Sequence, residues 1–425
     1  MKLLSSQSQH GLGLPITLFL MLILVSIGTW LLQTTTEGLR QATQFRKIKA
    51  STSLANTVIT DILRQFSQEY QGDHYSTAAL ERDPTFYNKG YSVITTSANT
   101  LQHFVSFEAV GSYGTDINNP QARKEIQGVI KFISDLTTYG TMWQDAFTTS
   151  ANNATYQGKL WANNGWTISG DNCIVNGGPV FVNGNIATSG GGDIVINGDL
   201  YRSGSRSGNI TVTGNDNTYI PDLTWPTIDT TYFDTYSNVK VTANTTVRFS
   251  YETTASTGSV RIGTTTYTIP STGFIIYGQN CVLTTSGTVR GRVTIASLRT
   301  SGSSGGNVTV DNNLSYATVG STSNANVNDA LAVISTHGQT WTRAASGQYR
   351  YMSGVFWVDT GGTTSQVFTL SGGSTSSGLK FFGTRNKAIS GTVSLGASIN
   401  YDTGLDTYPP PGLPEKPCLV SYQIK

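Results

Sequence analysis

Residues 12–32, "LGLPITLFLMLILVSIGTWLL", form an unbroken apolar run, and no Asp, Glu, Lys or Arg occurs between Lys2 and Glu37. As a helix that run spans about 32 Å, the thickness of a bilayer's hydrocarbon core. A secretory signal has a shorter apolar core followed by a small-residue cleavage pattern, and that pattern is missing here. Pro15 suits a first helical turn, where its absent N–H costs nothing. Beyond the run, apolar residues recur at Leu39, Ala42, Phe45, Ile48, Leu54, Val58, Ile62, Phe66 and Tyr70. Steps of three and four mark one face of a helix. Residues 14–72 are therefore expected to form one long helix, or two in series, with Gly72 as the stop. Pro15, Leu18, Leu22, Val25 and Gly28 belong to its membrane half. Ile48, Leu54, Val58, Ile62 and Phe66 form a stripe expected to pack on the rest of the protein.

The pattern then changes period. "LQHFVSFEAVG" (101–111) alternates as a strand does, and "ARKEIQGVIKFISDL" (122–136) reads as its partner across the turn-rich "GSYGTDINNP". Residues 73–165 are expected to form a small α+β region with its sheet on the helix. From Trp166 a β-branched residue, a polar residue and Gly recur at Val175, Val182, Ile196 and Val212. Short strands between Gly and Asn turns predict an all-β, right-handed β-solenoid over residues 166–402. "VRFSYETT" and "SVRIGTTTYTIP" suggest a hairpin insertion at about 221–273. In residues 403–425, "YPPPGLPEKP" cannot join a ladder. It is expected to leave the solenoid as a tail that caps its end or lies along its side.

Composition adds constraints. Only 12% of the 425 residues are charged and the net charge is +2, so no general electrostatic partner is implied. Three cysteines are too few for a disulfide framework. Cys173 and Cys281 share a local pattern ("DNCIV", "QNCVL"), which fits either two buried thiols at equivalent repeat positions or a bridge between them. His10, His74, His103 and His337 show no metal spacing, and His103 reads as a half-buried strand residue. No metal and no cofactor are expected. No nucleotide-binding or nucleophile motif occurs. Asp193 and Asp199 read as turn residues, so an enzyme is not expected. Arg202, Arg206, Arg290, Arg292 and Arg299 either line one side for a ligand or are scattered for solubility. Tyr232, Phe233, Tyr349 and Tyr351 could contact a ligand or pack between strands.

A short polar start ending in Gly, an apolar segment, an amphipathic helix and a β-rich remainder resemble type IV pilin-like proteins, most nearly the PilX-type minor pilins. The resemblance extends to the order of "GPVFVNGNI", "INGDLYRSG", "WPTIDTTYF", "GRVTIAS", "DALAVIS" and "ASINYD", found in β-solenoid heads on such segments. It implies a leader, residues 1–13, cut by a prepilin peptidase after Gly11 or Gly13 to leave Leu12 or Leu14 first. It implies a structural subunit held in the bacterial inner membrane, head outside the cytoplasm, that then packs among other pilin subunits and reaches the cell surface. Adhesion or DNA uptake, with extracellular DNA or a surface glycan as ligand, is implied by the same likeness. The usual Glu at the fifth mature position is replaced by Ile16 or Leu18, as in tip-like subunits. Arg40, Arg46, Lys47 and Lys49 against Glu37 point the other way, placing the C-terminal part in the cytoplasm by the positive-inside rule. A permanently anchored envelope β-solenoid and a surface carbohydrate-active enzyme are the alternatives.

Overall fold

The computed structural model describes residues 13–69, 82–87, 90–99, 103–114, 116, 119–221, 223, 225–251, 257–317, 329–346, 348–359, 368–371, 378–387, 391–393, 397–400, 402–406 and 408–424. A single helix, α1, runs from Gly13 to Glu69, 57 residues or about 85 Å. The expected stop at Gly72 lies outside the described residues.

An antiparallel sheet follows: β1 (Arg82–Tyr87), β2 (Gly90–Asn99), β3 (Phe104–Tyr113) and β4 (Ala122–Ile133). The alternation in β3 sends Val105, Phe107 and Ala109 to one face, where α1 lies. The sheet's last strand comes from the other end of the chain. Lys416–Ile424 pairs antiparallel with β4. Of the two expected placements of the C-terminal segment, its described residues take the one along the side. Pro409, Pro410 and Pro411 are buried along the side of the β region, and Lys416–Ile424 completes the sheet.

The rest is largely β, in curled sheets of mostly parallel pairs. Leu160 pairs with Val180 and Val180 with Leu200; Cys173 pairs with Ile194 and Ile194 with Ile210. Stacked Val and Ile side chains fill one continuous interior. The repeated Val-Asn-Gly has a physical reason. Val175, Val182 and Ile196 are fully buried, while their neighbours stack as amides outside, Asn183 on Asn163 and Asn197 on Asn176, each at 2.7 Å. At Gly184 φ is 142°, and a Cβ would stand 2.7 Å from the Gly165 nitrogen of the next layer, so only glycine fits.

Spatial order departs from chain order. Strands 139–217 stack outward from the segment after β4. The chain then returns along the side through residues 218–221, 223 and 225–238, with Leu223, Trp225, Ile228, Tyr232 and Phe233 packed on the ladder. It resumes at Val239–Val241 and stacks back until its last strands meet its first ones, Arg385 beside Thr141, Gly391 beside Phe147 and Ser398 beside Thr155. Two expected boundaries move. The ladders begin at Tyr139, not at 166, because the fully buried Tyr139–Trp143 is already a rung. Within 221–273, among the described residues, Ser259–Ile262 pairs antiparallel with both Val247–Ser250 and Thr265–Thr268, the expected hairpin, while Val239–Val241 and Thr245–Phe249 are at the same time parallel rungs of the ladder.

Candidate functional site

α1 has two regimes. From Pro15 to Arg46 every residue is exposed, and the apolar window has mean hydropathy 2.2 with none of it buried. Pro15, Leu18, Leu22 and Val25 lie in this half, and Gly28 has open space around it. Its hydroxyls do not break the apolar surface. Ser26 donates to the Leu22 carbonyl at 2.8 Å, Thr29 to Val25 at 2.7 Å and Thr35 to Leu31 at 2.7 Å. Each of these hydroxyl hydrogens is satisfied within the helix, as an apolar surrounding requires. Gly13 and Leu14 are helical; Gly11 and Leu12 lie outside the described residues.

The second regime begins at Ser51. Ser51, Ala55, Val58, Ile59, Ile62 and Phe66 are buried against β2, β3 and β4, with Phe66 edge-on to Phe132 at 5.0 Å. Burying each large apolar side chain contributes about 1.5–3 kcal/mol. Of the expected stripe, Val58, Ile62 and Phe66 lie in this seat and Leu54 at its margin. Ile48 does not: it is 43% exposed, one turn before the helix reaches the sheet. Sequence reasoning missed Ser51, Ala55 and Gly111. Close approach needs small residues, and a scan for large apolar ones passes over them. The available signal was Ser51, Ala55 and Ile59 at steps of four.

The arginines do not form a free basic row. Arg202 and Arg206 converge on Asp216 at 2.7 and 3.1 Å, and Arg290 lies 3.5 Å from Asp329. Arg299 donates to the Gly305 carbonyl at 2.9 Å. Arg292 is only 3% exposed and cannot meet a ligand. Arg202, Arg206, Arg290 and Arg299 are thus engaged with partners of the chain itself. Cys173 and Cys281 are separate buried thiols, not a bridge; Cys173 faces the Ala151 and Gly170 carbonyls and Cys281 the Val241 carbonyl. Burial pushes both thiols above the ordinary range. Asp193 and Asp199 accept backbone N–H bonds from Asn172 and Asn215. Tyr232 and Phe233 belong to the return crossing and are buried against the ladder, while Tyr351 is 39% exposed. The Tyr349 side chain, His10 and His74 lie outside the description. His103 is not half-buried but 1% exposed, with both ring nitrogens bonded.

No protein-family model matches the chain, and no curated protein matches it. Among solved structures, the competence-associated pilin ComZ from Thermus thermophilus overlays with a TM-score of 0.31 at 13% identity, covering 89% of this chain and 97% of that one. A likeness of that size carries no argument about this chain.

Proposed function

We propose that this chain is a minor pilin-like structural subunit of a type IV pilus or related filament. One observation carries the proposal: a single unbroken helix is wholly exposed and apolar over residues 15–32 and wedged into an antiparallel sheet from Ser51 onward. An exposed apolar cylinder of that length needs a nonaqueous surrounding. The inner membrane supplies it first. The helices of neighbouring pilin subunits supply it after assembly. Because the helix is continuous, moving its apolar half moves the whole head as one body. The ladder region is read as a PilX-like β-solenoid head, carried outside the cytoplasm to the cell surface for adhesion or for holding DNA or a surface glycan. The proposal assigns the chain no catalysis; its work is mechanical. It requires prepilin-peptidase cleavage after Gly11 or Gly13.

The test is the mature N-terminus, read by mass spectrometry on protein recovered from cells. A start at Leu12 or Leu14, N-methylated, is the expected result. Protein retaining Met1 would sink the pilin assignment and leave a permanently anchored envelope protein.

A further inference from the structure

Three separate stretches of the chain enclose a pit of about 200 Å³ beside the ladder. Residues 227–229, 232 and 233 of the return crossing form one side, residues 412–415 of the proline-rich segment another, and Trp357 of the rung Tyr349–Val358 the third. Thr227 and Asp229 are exposed and form its mouth. Deeper in, the lining is aromatic: Tyr232 and Phe233 are each 2% exposed, and Trp357 is fully buried. The Tyr232 and Phe233 rings stand 5.5 Å apart and nearly perpendicular, at 87°, so they make two walls of a box. Gly412 has φ 78°, and a Cβ there would stand 2.7 Å from Tyr232 Cε1, so glycine is what lets the proline-rich segment lie against that ring.

The Glu415 side chain lines the same pit and is 1% exposed. His103 Nδ1 lies 2.7 and 2.8 Å from its two oxygens, and Arg292 Nη2 lies 2.7 Å from His103 Nε2. A guanidinium only donates, so Nε2 accepts, and Nδ1 carries the hydrogen that Glu415 takes. A carboxylate offers about four lone-pair sites, so this bond fixes Glu415 in place and leaves it able to face a further partner. Trp357 Nε1 is buried and has no hydrogen-bond partner in the chain, a donor in want of an acceptor. Asp229 Oδ1 accepts from Thr231 N at 2.9 Å and Tyr232 N at 3.2 Å, which fixes the short helix Thr230–Tyr236 whose first turn carries Tyr232. No group of three or more His, Cys, Asp or Glu side chains that could hold a metal ion occurs among the described residues.

Aromatic faces attract a cation through their quadrupole, and more strongly where water is excluded. They give an N–H group nothing to bond. A primary ammonium would lose its hydration there without replacement, whereas N-methyl groups need none. The buried Glu415 supplies the counter-charge. We propose that this pit binds a trimethylammonium alcohol of choline's kind. Its methyl groups pack on Tyr232, Phe233 and Trp357, its charge faces Glu415, and its oxygen accepts from Trp357 Nε1. Asp229 at the mouth repels a phosphate, so the ligand is the free alcohol and not a phosphocholine headgroup. The site does not depend on whether the chain enters a filament.

Binding is read on the full chain in maltoside micelles, which carry no ammonium group, by saturation transfer to the N-methyl protons of added choline. Saturable binding is expected. Dimethylbutanol, the neutral carbon isostere, and ethanolamine, the primary ammonium, should each bind at least about tenfold more weakly. Phosphocholine should also bind more weakly than choline. E415Q keeps an acceptor for His103 but removes the charge, and is expected to bring choline down to the affinity of dimethylbutanol, a selective loss that general loosening would not produce. T227W fills the mouth from an exposed position and should weaken choline at least about tenfold. Absence of saturable binding, equal affinity for choline and dimethylbutanol, or an unmoved choline affinity in E415Q overturns the proposal. Phosphocholine binding tighter than choline rejects the free alcohol as ligand. If E415Q does not fold, T227W decides: an unaltered choline affinity rejects the site.

Discussion

Gly111 in β3 lies directly beneath Ser51 of α1: a Cβ on Gly111 would stand 2.0 Å from the Ser51 carbonyl oxygen and 2.6 Å from Ala55 N. Helix and sheet touch there backbone to backbone. The angle at which the long helix leaves the head depends on that contact, because no flexible side chain can yield. G111A is expected to push α1 off the sheet and destabilise the head by about 1–3 kcal/mol, the range for overpacking. A lowered denaturant midpoint of the full chain in micelles, followed by tryptophan fluorescence, is the measurement. An unchanged midpoint would mean that the helix slides without cost.

Phe66 and Ile48 separate the seat from the exposed half. F66A removes a ring packed edge-on to Phe132 and is expected to cost about 3–5 kcal/mol. I48A, at a site 43% exposed, should stay within about 0.5 kcal/mol in micelles. The same denaturation experiment compares them. Similar losses in both variants would place the start of the seat a turn too late.

The cysteines should differ sharply in reactivity. Cys418 is exposed on the edge strand, whereas Cys173 and Cys281 are buried and their thiols pushed up by burial. Maleimide added to native protein is expected to label Cys418 alone, and to label all three after denaturation without reductant. Peptide mapping reads the result. Two sites that stay unlabelled in denaturant until reduction would reveal a bridge.

His337 makes stability depend on pH. Burial first, then the charge of Arg299, lowers its pKa in the folded protein. The unfolded chain binds the proton more readily, so the His337 contribution is complete above the ordinary histidine range and is lost as pH falls through it. Thermal midpoints should fall from pH 7.5 to 5, and H337Q should show a shallower fall than the unmodified chain. Parallel curves would remove His337 from the account.

Much of the helix was legible because its signal is local. An apolar run and a period of three to four need no knowledge of what packs against them. Val58, Ile62 and Phe66 followed from spacing. Ile48 did not, since spacing says which way a side chain faces and not where the covering sheet ends. The same limit applied to the arginines. Arg202 and Arg206 look free in sequence, but Asp216 reaches both only after the chain has made another layer.

By itself the sequence determined the exposed apolar helix, the change to β periodicity and the Val-Asn-Gly rungs, because each is a matter of neighbours a few residues apart. Only the tertiary structure decided that the last rungs stack on the first, that the C-terminal strand closes the helix-bearing sheet, and that His103, Glu415 and Arg292 share one buried site. Those contacts join residues hundreds of positions apart. Their partners are chosen by which sheet edges remain unpaired and which charges remain unsatisfied once the chain has folded.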